Sequence, residues 1–430
     1  MMRGIKVVLL AVLLPLSVLA TGHTSAQRDF AVSKDESLQS RPTLAYDANH
    51  DRFLVTWTDF RNRHTSGVDI YGRLIDSRGQ PVGGDFPISG ARRGQGTSAV
   101  AFDPLHNRYL VVWADWREAK SVDSDIYGRL INADGSPFGD DFAITRRRVS
   151  QKQPTVAFDP FHRRFLVIWK DFRGKDVERL YGQFIDPQGA LVGNEFAVAQ
   201  GVGKQDRPSL YYDQKRKRFL VVWRDIVDEH QYLTTPLKGK GIFAAFIDAE
   251  RGPQAEAGSL IDTEEDACLP PSLYAAAYAP EEDVFLVVWT TARDYDKRGL
   301  DVYGAFVRAK DGKRQGRAFP IAVESDYQEF PSVAYDPRHH RFLVIWYDLR
   351  RDHSALNQDI YGRYITAKGQ FSEEFLVSDF RAPGIRRYPA ISFSSKSDSF
   401  LMIWEDSRHK TKTTHSQRIY GRIRTVETTR

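Results

Sequence analysis

Two carboxylates that could act as an acid and base pair, Glu229 and Asp294, stand in the two segments that depart most from an otherwise repetitive chain. On either side of a glycosidic bond, their separation would distinguish retaining from inverting hydrolysis. His230 and Tyr232 lie in the same long segment as Glu229. A second group, Arg41, Thr97, Gln153, Arg207, Leu273, Phe330 and Tyr388, occupies equivalent places in successive repeats. Aromatic platforms beside Arg and Gln suit a sugar or another small polar ligand. GxSxG, HExxH and phosphate-cradling glycine loops are absent, and Cys268, the only cysteine, has no motif context.

His50, His106, His162 and His339 recur at matching places. Zinc would need ligands about 2 Å from one ion, whereas turns on neighbouring sheets stand roughly 10 Å apart. They are expected to cap turns, and no metal or cofactor is expected.

The elements that must position these residues are strands. Trp57, Trp113, Trp169, Trp223, Trp289, Trp346 and Trp404 recur at nearly constant spacing and define seven units. Each unit reads as four short strands, such as Pro42–Asp47, Arg52–Trp57, Asp69–Asp76 and Asp85–Ser89 in the first, rich in Val, Ile and aromatics and separated by turn residues. Helical periodicity is absent. The second strands, FLVTW, YLVVW, FLVIW and their counterparts, are apolar on both faces and must be covered on both. A blade between two neighbouring blades has that cover.

The last unit ends without a fourth strand, and the segment Asp29–Ser33 supplies one without a unit. Pairing of this segment with Arg418–Arg424 would close the ring and leave no open sheet edge. The fold expected is therefore all-β, a seven-bladed β-propeller of four strands per blade, spanning residues 27–430 as one domain.

A residue repeated in most blades is expected to serve the blade, and one found in a single blade is a candidate for function. WxDxR recurs, as in Asp59 and Arg61, and DIYG recurs, as in Asp69 to Gly72. Asp59 and Asp69 should face one another across two strands, which is unfavourable for carboxylates. Arg61 is expected to clamp both through charge-assisted hydrogen bonds, leaving no role for calcium. The glycine of DIYG is expected to permit a bulge or a close approach of blades. The WxDxR and DIYG units, over all seven repeats, resemble those of secreted bacterial propeller-like repeat proteins; the resemblance implies architecture and export, with no activity attached.

Residues 1–26 read as a signal peptide, with Arg3 and Lys6 ahead of an apolar run from Val7 to Leu19 and cleavage after Ala20 or Ala26. No other stretch approaches the roughly 20 apolar residues of a membrane helix. Export to the periplasm or medium, without membrane insertion, is expected. The formal charge of +5 is small for 430 residues, and neither it nor the strand-core aromatics point to nucleic acid. The inter-blade loops divide into a basic arc, including Arg92, Arg93, Arg146 to Arg148, Lys152, Lys204, Arg386 and Arg387, and an acidic arc, including Asp262, Glu264 to Asp266, Glu324, Asp326 and Glu329. The function expected is non-catalytic binding of a carbohydrate, or of an envelope or extracellular protein, on this face near the channel mouth. A glycoside hydrolase or polysaccharide lyase using Glu229 and Asp294 is the alternative, and an envelope assembly module a third.

Overall fold

The computed structural model describes residues 28–118, 123–174, 178–199, 204–226, 241–253, 258–263, 274–351, 358–379, 384–409 and 417–426. The leader, Glu229, His230, Tyr232, Cys268 and Leu273 lie outside them. Seven antiparallel sheets follow in chain order. Blade 1 runs Gln39–Asp47, Arg52–Asp59, Asp69–Asp76 and Pro81–Ser89 from inner to outer strand. Blade 4 carries two outer pieces, Gly252–Pro253 and Ser259–Thr263, both paired with Gly241–Asp248. Blade 7 takes its outer strand from the other end of the chain: Phe30 pairs with Gly421 and Ala31 with Tyr420. The architecture is a seven-bladed β-propeller closed by its N-terminal strand. The one helix among the described residues is the single turn Tyr295–Arg298.

The second strands are buried on both faces, for the reason that their composition demands. Phe53, Val55 and Trp57 pack with Leu401 and Ile403 of blade 7, while the intervening Leu54 packs with Tyr109, Val111 and Trp113 of blade 2. With side chains alternating across a strand, each second strand serves two interfaces. All seven repeat tryptophans are fully buried, and truncating any one to Ala should cost about 3–5 kcal/mol. Gly72 is needed for packing within its own blade: a Cβ there would lie 2.9 Å from Ile88 of the outer strand.

The WxDxR motif proves to be a clamp on the outer strand, which corrects the expected Asp59–Arg61–Asp69 arrangement. Trp57 Nε1 donates to Asp59 Oδ2 at 2.7 Å. Arg61 donates Nε and Nη2 to the same carboxylate at 2.9 and 2.8 Å, lies 3.9 Å over the Tyr71 ring, and reaches Asp85 of the outer strand at 3.2 Å. Asp69 instead receives Asn62 at 2.7 Å and Ser66 at 3.3 Å, and burial raises its pKa above the usual carboxylate range. The arrangement recurs as Arg117 with Tyr127 and Asp141, Arg173 with Tyr181 and Glu195, and Arg350 with Tyr361 and Glu374. In blade 7, Arg408 lies over Tyr420 and reaches Asp29, the residue before the closing strand, at 2.7 Å. Blade 4 has Phe243 in the tyrosine position, stacked on Trp223.

Candidate functional site

In blades 1 to 4, 6 and 7 the start of the inner strand pairs with the end of the second, as Gln39 does with Asp59. The loops after the second strands therefore emerge at the end of the ring where the inner strands begin. A cavity of about 490 Å³ opens there, lined by inner-strand residues of all seven blades. Its lining includes Arg41, Thr97, Gln153, Arg207, Phe330 and Tyr388, so register counting along the sequence locates the ring.

The ring shares one backbone device that the sequence reading did not identify. Pairing slips between Ser40 and Thr43, and at the matching places in blades 2, 3, 4, 6 and 7. Arg41 and Pro42 together oppose Trp57, which is a β-bulge. The first residue of each bulge is left-handed: φ is 53° at Arg41, 52° at Thr97, 55° at Gln153, 51° at Arg207, 53° at Phe330 and 50° at Tyr388. The proline at the second position in five of them was the available signal, since proline inside a strand is tolerated at bulges and edges.

Left-handed backbone costs a non-glycine residue on the order of 1 kcal/mol. At the opposite end of the ring, seven hairpin residues are also left-handed, and five of them, Asp51, Asn107, Asp283, His340 and Asp398, are types that tolerate it. The cavity ring has no Asn, Asp, His or Gly.

The cavity has two sectors. Phe330 lies between Tyr347 and Tyr388, with ring centroids 5.4 and 4.5 Å away. The Tyr347 hydroxyl donates to Glu329. Across the ring, Arg207 Nε is 3.5 Å from Asp206 and its backbone N–H donates to Gln153 Oε1 at 3.1 Å. Arg41 donates Nη1 to Thr97 Oγ1 at 3.1 Å, and its backbone N–H donates to Glu405 Oε1 at 2.6 Å. Glu405 was not singled out from the sequence. Burial pushes its carboxyl up to about 7, against the hydrogen bond from Arg41, the nearby Arg41 and Arg387 charges and a hydrogen bond from Gln417.

Asp294 is not among the lining residues. It precedes the Tyr295–Arg298 turn and holds Arg298 Nη2 at 2.5 Å. Arg298 also reaches Asp301 at 3.2 Å, whose carboxyl burial raises to about 6.

Two residues assigned to the charged arcs are internal. Arg386 is 1% exposed and holds Asp359 and Asp406 at 2.7 and 3.1 Å, and Asp262 is 4% exposed and bound by Arg293 and Arg314. Arg147 is paired with Glu195. The charge segregation of the loop face is correspondingly smaller than the sequence suggests, because charges distant in sequence neutralise one another.

The four turn histidines each meet the aspartate three residues earlier, His50 with Asp47 at 2.8 Å and His162 with Asp159 at 2.6 Å, for example. Those aspartates also accept backbone N–H groups of the turn. Glu281, Glu282 and His340 bring possible metal-ligand atoms within 4.8 Å of one another on the same face, where the Tyr335 hydroxyl already lies 3.2 and 3.0 Å from the two glutamates.

No family model matches the chain, and no curated protein matches it. Solved structures similar to it include the Hadza microbial sialidase Hz136, at 10% identity over 87% of this chain and 76% of that one, TM-score 0.48. The Penicillium chrysogenum alpha-L-arabinanase complexed with arabinobiose is similar at 10% identity over 77% and 93%, TM-score 0.49. The parainfluenza virus 5 hemagglutinin-neuraminidase ectodomain is similar at 8% identity over 93% and 83%, TM-score 0.49. Among the described residues no helix is long and apolar enough to cross a membrane. The seven-bladed architecture rests on the chain's own strand pairing.

Proposed function

We propose that this chain is an exported, non-catalytic propeller that binds a glycan in the cavity at the centre of the ring. The observation that carries the reading is the set of six left-handed bulge residues. Glycine would relieve the backbone cost at every one of them, yet the chain keeps six side chains there and varies their chemistry. A repeated backbone with varied side chains is what a binding ring needs: the blade fixes the position and the residue supplies the contact.

The cavity volume falls in the range of small-ligand sites, roughly 300–1,000 Å³. Phe330 and Tyr388 offer apolar faces, and Gln153, Thr97 and the two arginines offer hydrogen bonds. Hydrolysis of a glycosidic bond ordinarily uses two carboxyl groups. Among the described lining residues Glu329 is the sole carboxylate, and it already holds the Tyr347 hydroxyl, which favours binding over turnover. Export rests on the leader composition.

The test is a glycan array followed by calorimetry with the chain from Gln27 onward. Binding to at least one glycan class, lost in Phe330→Ala/Tyr388→Ala, is the expected result. Release of reducing ends from a bound polysaccharide, or a protein partner captured with no glycan bound, would overturn the reading.

A further inference from the structure

We infer that the glycan bears an anionic group, a carboxylate or a sulfate, and that Arg41 receives it while the sugar ring lies on Phe330 and Tyr388. This rests on the glycan-binding reading above. Two cations line the cavity, Arg41 and Arg207, and they differ in kind. Arg207 has Asp206 beside it. Arg41 is exposed, and among the described residues its guanidinium donates only to the Thr97 hydroxyl, with the buried Glu405 carboxyl near enough to feel its charge without bonding it.

A guanidinium carries five N–H donors in a planar fork, so one contact leaves most of its donors available to a ligand. The arginines of the WxDxR motif have such forks filled: Arg61, Arg117, Arg173 and Arg350 each hold one aspartate through two side-chain contacts, and Arg408 reaches two carboxylates. Arg41 belongs to the cavity ring and not to that motif, and among the described residues no carboxylate bonds its fork.

Position supports the assignment. Blade 7 is the neighbour of blade 1 across the ring closure, as the Arg41 to Glu405 bond shows, so Arg41 follows directly on Tyr388 around the cavity. The backbone of Arg41 is pinned by that bond and by its bulge, and the side chain leaves from a fixed origin. An anionic substituent on a sugar seated against Phe330 and Tyr388 would meet the fork in the adjoining sector with two parallel hydrogen bonds, the geometry that distinguishes Arg from Lys.

Three matched probes test this by calorimetry at two salt concentrations: a galacturonic acid oligomer, its carboxyl-reduced neutral counterpart, and a sulfated galactose oligomer. The expected result is that one or both acidic probes bind roughly tenfold or more tighter than the neutral one, with the advantage shrinking as salt rises. Arg41→Gln should erase that advantage. Arg41→Lys should keep the salt dependence and lose most of the affinity, and Arg207→Gln should change the preference less than threefold. Whichever acidic probe wins identifies the anion. Equal binding of all three probes, or an acidic preference that survives Arg41→Gln, overturns the inference while glycan binding stands. Binding of none of the three, when the array has found another glycan, overturns the inference alone, whereas an array with no glycan bound removes the underlying reading.

Discussion

The backbone N–H of Arg41 donates to Oε1 of Glu405 at 2.6 Å, joining the first bulge of the cavity ring to the second strand of the last blade. One hydrogen bond thus links ring closure, the placement of a cavity cation and a buried carboxyl.

Glu405 should make stability depend on pH near neutrality. Burial holds its carboxyl at about 7, above the ordinary value of 4.5. The folded chain therefore keeps a proton that the unfolded chain releases, so the contribution is fully present below about pH 4.5 and is lost as pH rises through 7. Between those limits, urea denaturation should show wild type losing on the order of 3 kcal/mol relative to Glu405→Gln. Parallel pH profiles for the two proteins would contradict this.

Thr97 is β-branched and left-handed, the most strained combination in the ring. Thr97→Gly should raise stability by about 0.5–1 kcal/mol, the backbone relief exceeding the entropy that glycine adds to the unfolded chain. The denaturation midpoint measures it, and a clear loss of stability would show that the Arg41 contact outweighs the strain.

Asp115 gathers Trp113 Nε1 and three N–H groups of Arg117, all within 3.0 Å. Asp115→Ala leaves a buried indole N–H and a partly buried guanidinium short of their acceptor, at a cost of about 3–5 kcal/mol. Blade 5 has Thr291 in the corresponding place and an unpartnered Trp289 Nε1, so Thr291→Ala should cost less than 2 kcal/mol. Comparable losses at the two sites, by thermal or chemical denaturation, would refute the hub role of the aspartate.

Ring closure should depend on Asp29. Its carboxylate is 1% exposed and takes Arg408 at 2.7 Å and Arg422 at 2.6 Å. Asp29→Ala should destabilise by about 3 kcal/mol and expose the N-terminal strand to limited proteolysis. Asp141→Ala, the matching change in blade 2, whose outer strand is covalently continuous and whose carboxylate holds Arg117, should leave the N-terminus protected. Equal N-terminal cleavage in both variants would refute a special role in closure.

Much of the fold was legible because it depends on local pattern. Strands apolar on both faces require cover on both, seven tryptophans count the blades, and an orphan Asp29–Ser33 strand matches a missing partner in the last unit. The cavity ring was legible through register, since Arg41, Gln153, Arg207, Phe330 and Tyr388 sit at one count from the strand end. What the sequence could not determine was which partners meet. Arg61 grips Asp85 rather than Asp69, Arg386 is buried between two carboxylates, and Glu405 is raised to about 7 by burial, against the opposing pull of Arg41 from the other end of the chain. Charge and titration depend on desolvation and on contacts between blades, and those exist only once the ring has closed.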